Sequence, residues 1–245
     1  MADSLVIIPM YNEKENAETI IDAVLALPGN HFDILVVDDN SPDGTASIVR
    51  DMMGRYPGRV DMIERPGKLG LGTAYIRGFR YAIEKDYRFI IEMDADFSHN
   101  PEDLPRLRQA CIDGADVAVG SRYVSGVNVV NWPMGRVLMS YFASKYVRLI
   151  TGMKIHDTTA GFVCYRREVL QTIDLDKVRF KGYAFQIEMK YSARQLGFKV
   201  VEIPIVFVNR VLGVSKMSSG IFGEAMFGVI RLKIDAITGK FKRKK

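Results

Sequence analysis

The sequence predicts an α/β fold, a mostly parallel central sheet flanked by helices, with amphipathic helices in the C-terminal half. Two observations predict it. The strand-forming runs are short and continuously apolar rather than alternating, as in strands buried on both faces. Segments with helical spacing separate them, the order that builds a parallel sheet. The chain of 245 residues suits one large domain, or one domain with a modest appendage. With 48% hydrophobic and 26% charged residues it has the composition of a globular protein, not of a disordered or fibrous one.

Residues 4–9 are the first strand, ending at Pro9-Met10-Tyr11-Asn12. Residues 13–27 have helical spacing through Ala17, Ile20, Ile21, Val24 and Leu25. A buried strand at 32–37 runs into Asp38-Asp39-Asn40-Ser41, and a helix covers 42–56. A third strand at 60–63, a helix at 72–84 and a fourth strand at 89–93 follow, the last running into Asp94-Ala95-Asp96. Asn100 is a natural cap for a helix at 101–111, with Pro101 in its first position. The fifth strand is 117–119. The second half is less regular: helices at 134–150 and 184–197, a strand at 200–205, and a last helix at 221–237. In helix 134–150 the apolar residues are interrupted by a polar stripe of Arg136, Ser140, Ser144 and Arg148. In helix 221–237 a wide apolar arc faces Glu224, Arg231 and Asp235. The division expected is a domain over 1–217 and an amphipathic helix with a basic tail over 218–245.

The formal charge of +5 comes from 34 Lys and Arg against 29 Asp and Glu. Five of the basic residues lie in 240–245, so the remainder of the chain is balanced. A nucleic-acid binder would spread its basic residues over a face, and that class is excluded. Cys111 and Cys164 make neither a disulfide framework nor a metal cluster and suit a reducing compartment. The start of the chain lacks a basic segment before its first strand, so no signal peptide is expected. No apolar run approaches the ~20 residues of a membrane span.

In an open α/β sheet, ligands bind outside the carboxyl ends of the strands. Those ends deliver Pro9, Tyr11 and Glu13, then Asp38 and Asp39, then Asp94 and Asp96, then Ser121 and Arg122. Asp94-Ala95-Asp96 can hold Mg²⁺ or Mn²⁺ together with phosphate oxygens, because these ions accept one or two carboxylates plus ligand phosphates. A solvated turn is the other reading. The acids at 38–39 serve either as helix-capping turn residues or as acceptors for a nucleotide's base or ribose. Gly67-Lys68-Leu69-Gly70-Leu71-Gly72-Thr73 has neither Walker A nor Rossmann spacing and reads as a flexible turn beside the site. Arg136 and Ser140, one turn apart, are placed to receive an anionic group. His31, His99 and His156 have no ligand spacing and read as structural. Asp157 is open between a turn, a substrate contact and a general base.

Taken in order, Pro9-Met10-Tyr11-Asn12-Glu13, Val37-Asp38-Asp39-Asn40-Ser41-Pro42-Asp43-Gly44-Thr45, Lys68-Leu69-Gly70-Leu71-Gly72-Thr73 and Met93-Asp94-Ala95-Asp96-Phe97-Ser98-His99 resemble the family-two inverting glycosyltransferases of the GT-A (Rossmann-like) fold. The similarity is to the dolichol-phosphate, or polyprenyl-phosphate, mannosyltransferase branch. It continues through Gly120-Ser121-Arg122-Tyr123, Asp157-Thr158-Thr159-Ala160-Gly161-Phe162, Lys181-Gly182-Tyr183-Ala184-Phe185-Gln186 and Asn209-Arg210 to Ser215-Lys216.

The resemblance implies metal-dependent, inverting transfer of mannose from GDP-mannose to a dolichyl or polyprenyl monophosphate. It implies donor contacts at Pro9, Tyr11, Glu13, Val37 and Asp39. It implies a diphosphate and Mg²⁺ or Mn²⁺ segment at Asp94, Ala95 and Asp96, with Ser98 beside them where some relatives carry a metal-ligating Gln. Arg122, Lys181, Arg210 and Lys216 would surround the phosphates, and Arg136 with Ser140 would hold the acceptor's phosphate. Asp94, Asp96, Arg122 and Arg136 would then carry catalysis. A lipid acceptor implies a peripheral place on the cytoplasmic face of the membrane, through the amphipathic helices and the basic tail, and leaves room for a membrane-spanning partner subunit. The alternatives are a polyprenyl-phosphate glucosyltransferase using UDP-glucose and a non-catalytic nucleotide-sugar-binding subunit.

Overall fold

The computed structural model describes residues 2–210, 221–239 and 241. Strands β1 (Ser4–Met10), β2 (Phe32–Asp38), β3 (Val60–Glu64), β4 (Phe89–Glu92) and β5 (Val117–Ser121) form where the apolar runs lie. Helices α1 (Ala17–Leu25), α2 (Thr45–Arg55), α3 (Leu71–Glu84) and α4 (Leu104–Ile112) connect them. The second half adds α5 (Met134–Thr151), α6 (Arg167–Thr172), α7 (Tyr183–Gln195), strand β8 (Val200–Pro204) and α8 (Ile221–Ile237). Short strands β6 (Val129–Val130) and β9 (Phe207–Val208) pair with each other, and β7 spans Val163–Arg166.

The main sheet has seven strands in the order β3-β2-β1-β4-β7-β5-β8. All neighbours are parallel except β7, which runs antiparallel between β4 and β5. Residues of β1 alternate between two cores. Val6, Ile8 and Met10 face α1, α2 and α4, while Leu5 and Ile7 face α3, α6 and α7. Burial on both sides is why these strands read as unbroken apolar runs.

The sequence does not announce β7, because Phe162-Val163-Cys164-Tyr165 is too short to separate a strand from other buried chain. Its direction matters for the site. Glu92, at the end of β4, lies opposite Val163, at the start of β7. The segment 156–162 therefore arrives at the edge where the parallel strands end, and Asp157 with it.

A third core joins α5, α7 and α8 through Val147, Ile187, Tyr191, Val229 and Leu232. The expected division at 217–218 falls outside the described residues. Asp235, opposite the apolar arc of α8, is buried and pairs with Arg179 at 3.1 Å.

Candidate active site

Left-handed residues shape the rim. Asn12, Asn40 and Phe97, with φ of 54°, 59° and 58°, sit just beyond β1, β2 and β4 and turn the chain sharply outside the sheet. Asn adopts this conformation readily and Phe does not. At Phe97 the turn lets the Ser98 amide donate to Asp96 Oδ1 at 3.0 Å.

The first two loops are laced together. The amides of Asn12, Glu13 and Lys14 donate to Ser41 Oγ, Thr45 Oγ1 and Asp43 Oδ2 at 3.0–3.1 Å. Asp38 is wholly buried and accepts from the Ser41 amide and hydroxyl, so it builds the turn. Asp39 has a different partner: Arg65, at the end of β3, donates from Nε to Asp39 Oδ1 at 2.5 Å. Burial still raises the Asp39 carboxyl above its usual range. Arg65 also donates to Thr73 Oγ1 at 2.6 Å, tying the acid to the glycine-rich segment.

That segment is docked rather than loose. A Cβ on Gly70 would stand 2.9 Å from Lys181 Cβ, and one on Gly72 would stand 2.7 Å from the Phe185 ring. Two glycines thus let 70–72 lie against 181–185, where the Gly72 amide donates to the Lys181 carbonyl at 2.9 Å. Lys68 Nζ lies 5.3 Å from the centre of the Tyr11 ring, and Lys181 is exposed on the rim.

Asp94 and Asp96 stand together beyond β4. Burial, and next the charge of Asp96, push the Asp94 carboxyl above the ordinary aspartate range, although 40% of its side chain is still open to solvent. Arg210 approaches Asp96 Oδ2 at 2.7 Å. Among the described residues no three His, Cys, Asp or Glu gather around a common point. The chemistry fits a hard divalent ion that takes one or two carboxylates and fills its shell with phosphate oxygens and water. Ser98 is buried beside the pair. His99 is structural, as expected: its Nδ1 accepts from the Asp94 amide at 3.2 Å, and burial lowers its pKa to about 4.

Arg122 is held by Asp157, whose two oxygens accept from Arg122 Nε and Nη2, both at 2.6 Å. Asp157 is wholly buried, and the Arg122 charge keeps its carboxyl below the usual range against the opposing effect of burial. It is therefore an ion-pair partner that orients Arg122. Tyr123, Trp132 and Phe207 surround the guanidinium at 5.3–5.5 Å. Lys190, buried beneath the floor, donates to the carbonyls of Ala160 and Gln186 at 2.6 and 3.0 Å.

A cavity of about 510 Å³ opens from Asp94 toward α5 and α8. Arg122, Arg136 and Ser140 line it with Asp94, and Met139, Phe142 and Met226 stand toward its apolar side. Residues 5–174 match the family model described as "Glycosyl transferase family 2". The chain belongs to glycosyl transferase family 2.

A polyprenol monophosphomannose synthase of Mycolicibacterium smegmatis is 50% identical over 241 residues, covering 96% of this chain and 90% of that protein. An undecaprenyl-phosphate mannosyltransferase of Micrococcus luteus is 46% identical, covering 93% and 92%. Among solved structures, glucosyl-3-phosphoglycerate synthase of Mycobacterium tuberculosis, in complex with Mn²⁺, UDP and glucosyl-3-phosphoglycerate, gives a TM-score of 0.68 at 16% identity. That match covers 95% of this chain and 79% of the other. The fold is GT-A, and this family-two chain is a glycosyltransferase.

The structure brings most of the expected residues of the glycosyltransferase site to one rim. Pro9, Tyr11, Glu13 and Asp39 lie at the ends of β1 and β2, and Ala95 is buried between the two aspartates. Val37 needs correction: the whole residue is buried, its side chain in the core and its backbone within the sheet between β1 and β3, so it does not face the rim. Lys216 lies outside the described residues. Arg65 and Trp132 were missed. Arg65 had a signal, since it follows β3 directly as Asp39 follows β2.

Helix α5 departs from the usual arrangement. Its polar stripe faces inward: Ser144 is buried against Thr158, and Arg136 and Ser140 line the cavity. Part of its apolar surface is exposed, Leu149 82% and Met134 70% with Leu138 beside them, whereas Val147 and Ile150 pack into the third core and Met139 and Phe142 also line the cavity. Phe227, 77% exposed, and Ile230, Ile234 and Ile237 continue this surface on α8. The two helices meet where Tyr146 donates to the Met226 carbonyl at 3.0 Å. Among the described residues no helix is long and apolar enough to cross a membrane.

Proposed function

We propose that this glycosyltransferase transfers mannose from GDP-mannose to a polyprenyl monophosphate at the membrane surface, with inversion. The observation that carries this reading is α5, which turns Arg136 and Ser140 into the cavity and leaves Met134, Leu138 and Leu149 exposed. A phosphate on a long lipid needs that combination. The polar stripe meets the anionic head, and the apolar face meets the medium that holds the tail. The relatives' names supply the mannosyl and polyprenyl chemistry.

In this reading Pro9, Tyr11, Glu13 and Asp39 bind the guanosine. Asp94, Asp96 and the neighbouring Ser98 would hold Mg²⁺ or Mn²⁺. The ion would supply charge to stabilise the diphosphate as it departs. Arg210 and Lys181, with Lys216, would share that negative charge. Arg122, Arg136 and Ser140 receive the acceptor's phosphate and aim it. One phosphate oxygen attacks the anomeric carbon while the bond to the GDP oxygen breaks on the opposite side, giving a β-mannosyl phosphate lipid and GDP.

The attacking oxygen is already anionic near neutral pH, so no proton needs removing. That agrees with Asp157 being committed to Arg122 and His99 being neutral and engaged. Positioning and charge stabilisation do the work. The buried, unpaired thiols of Cys111 and Cys164 suit the cytoplasmic face.

The test is purified protein with radiolabelled GDP-mannose, UDP-glucose and GDP-glucose, a short polyprenyl phosphate and a divalent ion. The expected result is lipid-extractable label from GDP-mannose, lost on chelation. Label from UDP-glucose alone would replace the donor, and label without polyprenyl phosphate would overturn the acceptor.

A further inference from the structure

Trp132 is the chain's single tryptophan. It stands between β6 and α5, flanked by Asn131, with φ of 60°, and by Pro133. A residue before proline is held extended, so the ring's origin is well fixed. Its ring meets Phe207 of β9 edge to face, with centroids 5.3 Å apart at 73°. The Arg136 guanidinium lies 4.0 Å from the indole centre and that of Arg122 lies 5.5 Å away. One indole therefore stands against both arginines that face the acceptor cavity, and it lines that cavity itself.

The indole Nε1 is buried and has no hydrogen-bond partner among the described residues. Buried donors are rarely left unmade, because the lost hydrogen bond to water goes unreplaced. An indole N–H can only donate, so what it lacks is an acceptor atom. With two guanidinium groups at its side, an anionic oxygen is the acceptor best suited to the place.

We propose that Trp132 is a ligand of the acceptor's phosphate: Nε1–H donates to a phosphate oxygen, and the ring face seats Arg136. This rests on the reading of the acceptor as a polyprenyl phosphate. Two substitutions separate the parts. Trp132→Phe keeps an aromatic face and deletes the donor, while Trp132→Leu deletes both.

The expected result for Trp132→Phe is an acceptor KM raised at least about tenfold, as for one hydrogen bond to a charged group, with the donor KM unchanged. Trp132→Leu loses about a further threefold to tenfold in acceptor kcat/KM, the scale of a cation–aromatic contact. In the wild-type chain the tryptophan emission has a single source. It should change on titration with a short polyprenyl phosphate and not with the matching polyprenol. A wild-type acceptor KM in Trp132→Phe overturns the proposal, as does a rise in the donor KM of both variants without one in the acceptor KM. Failure of the wild-type enzyme to use any polyprenyl phosphate would overturn the underlying reading instead, before either variant is compared.

Discussion

Asp157 shows how one buried carboxylate fixes a neighbour's chemistry. Both its oxygens are spent on Arg122, and the Arg122 amide adds a third hydrogen bond at 3.0 Å. Asp157→Asn leaves a nearly buried guanidinium without its counter-charge. Breaking such a pair costs about 3–5 kcal/mol, readable as a lower denaturant midpoint, and acceptor kcat/KM should fall with it. The pair also has a pH signature. The folded-state pKa of Asp157 lies below its unfolded value. Its stabilisation is complete above the ordinary aspartate range and is lost as pH falls through the folded value. The wild type should therefore lose more stability than Asp157→Asn between about pH 5 and 2, and parallel losses in the two proteins would refute this. Asp96→Ala has a different signature: it removes one acceptor from the Ser98 amide and one contact from Arg210, both at the rim, so the fold should persist while turnover disappears. Unfolding curves beside the radiolabel assay separate the cases, and retention of most metal-dependent activity would remove Asp96 from its assigned role.

At the scale of elements, the strands and helices of the first half were legible because each is a local pattern. The acids beyond β1, β2 and β4 were legible because they follow those patterns directly. Arg65 was not, because its meaning lies in Asp39, 26 residues away and across a strand. Trp132 was not, because the ring acquires its role only when β9 and α5 fold around it. Periodicity found both stripes of α5 and could not say which one faces the body. Ordinary expectation buries the apolar stripe, and here Arg136, Ser140 and Ser144 turn inward together with Val147 while Met134, Leu138 and Leu149 stay exposed. Leu149→Ser tests that exposure. A leucine already 82% exposed contributes little to folding, so thermal stability should hold. If the same side chain enters lipid, its loss should weaken vesicle binding about tenfold, the value of burying one leucine. A large fall in stability with unchanged vesicle binding would mean that this face packs on protein instead.

On the scale of the whole molecule, the proposed function gives the cavity and the exposed residues of α5 and α8 one orientation toward a bilayer. In that orientation the acceptor's phosphate would reach Arg122 and Arg136 while its tail stayed among the exposed methionines, leucines and phenylalanines, and the lipid would not need to leave the bilayer. The same proposal gives the charge of +5 a use. Five basic residues in 240–245 follow α8 in sequence, and the balance of the chain is neutral. Apolar insertion alone gives a weak, reversible hold, and a polybasic segment is the usual second component. Each basic residue near an anionic leaflet adds about 1 kcal/mol, and salt screens that attraction. Removing 240–245 should therefore weaken binding to anionic vesicles by at least about a hundredfold at low salt, even if only three of the five charges engage. The difference should shrink as salt rises and vanish on neutral vesicles. Turnover of a short, water-dispersed polyprenyl phosphate should remain that of the full chain, because the tail serves location and not chemistry. Co-sedimentation across a salt series measures the first effect and the radiolabel assay the second. Equal binding by both chains at low salt would leave α5 and α8 as the whole of the anchor.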